Sequence, residues 1–195
     1  VFVCASAVGY YGDRSGAVLT EDAPPVSGFL AEVCQQWEAA CGPARAAGVR
    51  VVNLRTGVVL SPHGGALAKM LPVFRMGMGG VVGSGDQWLS WIALSDLLRV
   101  IEFVITNDGL SGPVNAVSPN PVTNRQLTQA IGRVIKRPTL VPLPAVAVRL
   151  TMGQMGEETL LASSRVIPQR LQSAGFQFEH PELEEALRYE ISHDR

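Results

Sequence analysis

Charge is scarce in this sequence. Asp, Glu, Lys and Arg make up 17% of it, against a usual share of ~25%, while hydrophobic residues make up 47%. That balance excludes a mainly disordered chain. Positive charge is not in excess: 16 Lys and Arg stand against 17 Asp and Glu, a net charge of -1. A nucleic-acid partner, whose condensed counterions are displaced by a basic protein surface, is therefore not expected. Long apolar runs are also missing. Val49–Leu54 is interrupted by Arg50, and nothing reaches the ~20 residues that cross a bilayer, so no membrane partner is expected. Cys4, Cys34 and Cys41 are an odd count without C-x-x-C or a His at ligand spacing. Neither a disulfide framework nor a metal site is indicated, and a reducing compartment fits. The expected location is the cytoplasm, or an organelle reached through a targeting segment upstream of this chain. At 195 residues the length suits one domain or slightly more.

What is present reads as α/β. Val1-Phe2-Val3-Cys4-Ala5 is a continuous apolar run of the kind found in a parallel sheet covered on both faces, so a buried strand is expected there. The chain thus reads as opening in the middle of a domain, and no G-x-G-x-x-G stands at its front. A loop over 13–28 ends at Ser27, the expected N-cap of a helix over Phe29–Ala47, whose Leu30, Val33, Cys34, Trp37 and Cys41 share one face. Gly48 ends that helix, and Val49–Leu54 forms a second buried strand. Strand, helix and strand make a crossover unit.

Beyond it, Gly64-Gly65 precedes a helix over Ala66–Met76, and Gly77–Gly80 reads as a loop rather than a phosphate cradle. Further helices are expected over Ser95–Thr106, with Ser95 as cap, and from the capping box Thr123-x-x-Gln126 to about Lys136. A short strand falls at Pro113–Val117, a helix starts at Pro144 and runs to about Met152, and a last one covers Glu182–Glu190. In open α/β sheets ligands bind beyond the carboxyl ends of the strands, here Ala5–Gly12 and Arg55–Val59.

The ordered motifs Ser6-Ala7-Val8-Gly9-Tyr10-Tyr11-Gly12, Trp37-Glu38, Leu54-Arg55-Thr56-Gly57-Val58-Val59-Leu60, Gly64-Gly65-Ala66-Leu67, Gly83-Ser84-Gly85-x-Gln87, Ser90-Trp91-Ile92 and Val166-Ile167-Pro168-x-Arg170-Leu171 span the chain. Together they resemble the YfcH-like epimerase family, atypical extended members of the short-chain dehydrogenase/reductase superfamily. The resemblance implies a partial Rossmann fold, a parallel sheet with flanking helices whose N-terminal half lies outside this chain, plus a small α+β C-terminal substrate-side domain. The corresponding division is 1–62, with 95–117 returning to the sheet, and 63–195. NADP(H), ahead of NAD(H), is the implied cofactor, and a small hydroxyl- or carbonyl-bearing molecule the implied substrate of an oxidoreductase or epimerase-like reaction. Activity would need the N-terminal cofactor half.

Extended reductases use a Tyr-x-x-x-Lys pair as acid and base. The matching helix here reads Phe29-Leu30-Ala31-Glu32-Val33-Cys34, without either residue. This opens an alternative, a cofactor-binding sensor or interaction protein without hydride chemistry. Counting back from Tyr11-Gly12 puts Ala7 at the usual catalytic Ser, with Ser6 beside it. Ser6, Tyr10 and Tyr11 are the catalytic candidates, although a Tyr here also suits packing and a hydrogen bond. Ala5, Ser6, Arg55, Gly57, Val58 and Val59 are the cofactor-side candidates. Arg55 either clamps an anion or pairs with Glu38, and backbone at Gly57-Val58-Val59 is suited to a nicotinamide carboxamide. Lys69, Gln87 and Trp91 are the substrate-side candidates, Trp91 as a stacking wall and the polar pair as orienters. Cys34 reads as an inert buried thiol. A strand over Val1–Ala5 without an inner neighbour would also favour a homodimer or swapped dimer through the exposed sheet edge.

Overall fold

The computed structural model describes residues 1–192. In chain order its elements are β1 (Phe2–Ala7), β2 (Val18–Leu19), α1 (Phe29–Ala40), α2 (Gly42–Ala46), β3 (Val51–Thr56), β4 (Val58–Leu60) and α3 (Gly65–Arg75). Then follow β5 (Trp88–Leu89), β6 (Trp91–Ala93), α4 (Leu94–Thr106), β7 (Gly112–Ala116), β8 (Val122–Thr123) and α5 (Asn124–Ile135). The last are α6 (Ala145–Gly156), β9 (Arg165–Val166), α7 (Gln169–Ser173) and α8 (Leu183–Ser192).

The main sheet has the order β1-β3-β7, parallel throughout, with Cys4 beside Asn53 and Leu54 beside Val114. Helices flank it, so the architecture is α/β with a parallel sheet, as the sequence indicates. In β3 the five residues from Val51 to Arg55 are buried. β1 differs from expectation: Phe2 is 45% exposed and Ala5 is exposed. Its apolar run is open because, among the described residues, β1 has a strand partner on the β3 side alone.

One apolar cluster joins the sheet to α4 through Val52, Leu54, Val100, Val104 and Val114, with Leu171 and Phe176 closing over it. A second unites α3, α5 and α8 around Trp91 through Leu67, Leu71, Leu127, Ile131 and Leu187. Buried Asp96 ties the C-terminal segment to α4, accepting hydrogen bonds from the amides of Glu179 and His180 at 2.9 Å.

Local chemistry explains several boundaries. Thr123 and Gln126 form the expected capping box of α5, and Lys136 ends it in the left-handed conformation. The long helix expected over Phe29–Ala47 is broken at Cys41, two residues before Pro43, which lacks the N–H that a continuous helix would need. The cap of α1 is Gly28, not Ser27, and that of α4 is Ala93, not Ser95; neither supplies a side-chain bond. Ser95 instead donates to Glu190. Gly79 and Gly80 are packing sites, since a Cβ there would meet the Phe74 ring at 2.6 Å and the Val141 carbonyl oxygen at 1.9 Å.

Candidate functional site

Beyond the carboxyl ends of β1 and β3 lies a cleft of about 300 Å³. Its floor is Ala7, Val8 and Gly9 from β1 and the turn after it, with Thr56, Gly57 and Val58 beside them. Leu30, Val33, Cys34 and Trp37 of α1 form one wall. Gln87–Ser90, Asn124, Glu158, Thr159, Leu160, Ala162 and Ser164 form the other. A neighbouring cavity of about 270 Å³ shares Gly9, Gly12, Leu30, Glu158 and Ala162 with it.

The second wall is knitted together internally and to β9. Ser90 Oγ donates to the Ser164 carbonyl at 2.8 Å and accepts from the Val166 amide at 2.8 Å. Gln87 Nε2 donates to the carbonyls of Val82 and Leu160, both at 3.0 Å. The chain reaches this wall through α6, which is interrupted by non-helical Gly153 and continues as a π-helical turn over Glu157–Leu161.

A buried polar network lies beneath the cleft. The Arg55 side chain is 3% exposed and forms a two-pronged pair with Glu38, Nε to Oε1 and Nη2 to Oε2, both at 2.8 Å. Its Nη1 donates to Tyr11 Oη at 2.9 Å, and its guanidinium lies 3.5 Å from the centre of the Tyr10 ring. Tyr11 Oη donates to Asn115 Oδ1 at 2.7 Å, and the Asn115 amide donates to Glu21 Oε1 at 3.1 Å. Ser6 Oγ donates to Glu38 Oε1 at 2.8 Å. Burial alone would lower the Arg55 pKa, but its bonds to Glu38 and Tyr11 raise it above its ordinary value. Burial raises that of Tyr11 despite the bond from Arg55, so Tyr11 stays a phenol near neutral pH.

The sequence candidates therefore separate. Ser6, Tyr10, Tyr11 and Arg55 meet in this network, where Arg55 takes the ion-pair alternative with Glu38. Gly57, Val58 and Gln87 line the cleft. However, the Gly57 amide donates to the Ala116 carbonyl at 3.2 Å and that of Val58 to the Ser90 carbonyl at 2.8 Å, so neither N–H is left for a ligand. Val59 packs toward the sheet cluster, and Ala5 sits on the open strand β1. Lys69 is exposed on α3, away from the cleft lining. Trp91 is fully buried and donates from Nε1 to the Asn120 carbonyl at 2.9 Å; it is core, because β6 pairs with β4 and faces the helical cluster.

Trp37, Trp88, Asn124 and Glu158 were missed by the sequence reading and line the cleft. Glu158 supplies the cap that Gly28 lacks: Oε2 accepts from the Leu30 amide at 2.8 Å and Oε1 from the Phe29 amide at 3.3 Å. The bond from Leu30, then the one that Gln154 Nε2 donates to Oε1 at 2.7 Å and that from Phe29, hold its carboxyl below the usual value. The available signal was negative, a helix opening behind a glycine with no capping side chain. Burial pushes the Cys34 thiol up, in keeping with an inert role.

Comparison with known proteins adds four similarities. Residues 143–190 match a domain of unknown function, DUF1731. Epimerase family protein Mb2239 of Mycobacterium bovis is 51% identical over 185 residues, 95% of this chain and 62% of that protein. The crystal structure of human epimerase family protein SDR39U1 (isoform 2) with NADPH superposes with a TM-score of 0.90 at 34% identity, over 99% of this chain and 65% of that one. A nucleoside-diphosphate sugar epimerase from Corynebacterium glutamicum gives 0.78 at 38% identity, over 99% of this chain and 38% of that one. This chain is thus homologous along nearly its whole length to epimerase family proteins, and spans about three fifths of the curated relatives it matches.

Proposed function

We propose that this chain, as a member of the epimerase family for which its relatives are named, and of its YfcH-like branch, supplies the nicotinamide-side floor and the substrate-side wall of an NADP(H)-dependent protein. The reaction is of oxidoreductase or epimerase type on a small hydroxyl- or carbonyl-bearing molecule. The observation that carries this reading is the position of the cleft, beyond the carboxyl ends of parallel β1 and β3 and closed by segments from the C-terminal half.

The residues present suit a flat aromatic amide. Ala7, Val8, Gly9 and Val58 make an apolar floor, and a Cβ at Gly9 would stand 3.3 Å from Leu30 Cβ, so glycine keeps the turn thin against α1. When bound, the cofactor supplies or accepts hydride. The chain's own part is to enclose the ring and exclude water, with Thr56, Gln87 and Asn124 at hand to orient a polar group. The pyrophosphate is assigned to the portion of the protein outside this chain.

A second reading, cofactor binding without turnover, is favoured by one observation. Among the described residues lining the cleft, the titratable side chains are Cys34 and Glu158, and Glu158 is engaged in capping α1. The full-length protein separates the readings. NADPH fluorescence titration should show saturable binding that Val33→Trp, filling the cleft, abolishes. Stoichiometric NADPH oxidation with any member of a carbonyl panel supports the enzyme; binding without oxidation supports the sensor; absence of binding refutes both.

A further inference from the structure

We infer that the cleft selects an uncharged, mainly apolar hydroxy or keto compound and discriminates against nucleoside diphosphates. The inference deepens the proposed function and rests on the cleft being the substrate site. Its lining is dominated by Leu30, Val33, Trp37, Val58, Leu89 and Leu160. Among the described residues that line it there is no Lys, Arg or His. A diphosphate carries its charge on oxygens that proteins meet with cationic forks or clustered N–H donors. This wall offers a carboxylate instead, Glu158.

Nearby cations do not change this balance. In the adjoining cavity Arg149 pairs with Glu157 at 3.2 Å, and Asp13 and Glu158 are further acids there. Arg14 is turned to the backbone carbonyls of Tyr11 and Pro24. Arg165 lies 4.1 Å from the centre of the Trp88 ring and is not part of the lining. The remaining groups able to orient a ligand are neutral, and internal bonds fix which end each one offers. Gln87 spends its amide nitrogen on Val82 and Leu160, which leaves Oε1 as an acceptor for a hydroxyl. Asn124 spends Oδ1 on the Val82 amide at 2.9 Å, which leaves Nδ2 as a donor for a carbonyl oxygen. An acceptor and a donor set in an apolar cleft match a neutral hydroxy or keto group on an apolar body.

Calorimetry on the full-length protein, with and without saturating NADPH, tests this with two probes, benzylacetone as a neutral apolar ketone and UDP-glucose as a nucleoside diphosphate. Benzylacetone should bind at least about tenfold more tightly. Thr159→Arg, at an exposed lining position, adds a cation and should narrow the gap by about threefold to fivefold through tighter UDP-glucose binding. Glu158→Gln should narrow it in the same direction. Equal or tighter binding of UDP-glucose by the unmodified protein overturns the inference, as does failure of the ketone to bind at millimolar concentration. A protein that ranks the two probes as stated but does not bind NADPH retains the selectivity and loses the cofactor reading.

Discussion

Glu158 and Leu30 are 128 positions apart in sequence, yet the carboxylate of one accepts the amide of the other at 2.8 Å. The opening of α1 is thereby held by the wall it faces across the cleft. An ionised acceptor at a helix N-terminus both satisfies orphan amides and complements the helix dipole.

Removal of this cap should be measurable. Glu158→Ala is expected to cost about 1 kcal/mol, a fall of about 2–4 °C in melting temperature for a chain of this size. Because the folded-state pKa of Glu158 is depressed, its contribution is present above the ordinary value of 4.5 and is lost as pH falls through the lower folded value. Melts of the two proteins should differ at pH 7 and converge in acid; a gap that persists in acid would mean that the side chain acts through packing.

The Arg55–Glu38 pair should behave as a buried unit. Arg55→Met leaves Glu38 without its partner and should cost about 3 kcal/mol or more, read from urea denaturation. Pairing it with Glu38→Leu should recover a large part of that loss, since no uncompensated charge remains. Additive losses in the double variant would contradict the coupling that the two 2.8 Å bonds imply.

Tyr11 provides an alkaline counterpart. Its folded-state pKa lies above the ordinary 10.0, so the stability associated with the protonated phenol is intact below that value and is lost as pH rises from it toward the raised one. Stability of the unmodified protein should therefore fall through this alkaline window more steeply than that of Tyr11→Phe. At pH 7 the Phe variant should be the weaker by about 1–3 kcal/mol, since Asn115 and Arg55 each lose a buried partner.

Strand β1 gives a prediction about association. With Val1 56% and Phe2 45% exposed and its outer edge unpaired among the described residues, the isolated 195-residue chain should self-associate through that edge. Light scattering during size-exclusion chromatography should show species larger than a monomer, and Ala5→Lys, a charge at an exposed position on the strand, should reduce them. A monodisperse monomer at all concentrations would count against the edge as a contact.

How far the sequence spoke depended on the range of the physics involved. Helix α5 was legible because Thr123 and Gln126 are three residues apart and cap each other. Helix α1 was legible in its apolar face and in its first residue, Phe29, and not in its cap, because the capping group arrives from 128 positions away. The site was legible as a location beyond β1 and β3, since that follows from the strand ends. Its residues were less so. Trp88 and Trp91 look equivalent in the string Trp88-Leu89-Ser90-Trp91, and the parallel pairing of Trp91 with Val58 decides which is buried. Arg55 likewise suited an anion clamp or an ion pair until the fold laid Glu38 of α1 against β3.

The placement of the indoles gives the molecule its own optical reporters. Trp91 is sealed in the core, and its emission should be blue-shifted and insensitive to iodide. Trp37 is 51% exposed at the cleft wall, where a soluble quencher can reach it. Trp88 stands between the two, its ring covered by the Arg165 guanidinium. A ligand entering the cleft therefore changes two of the three emitters and leaves the third as an internal reference for the folded state.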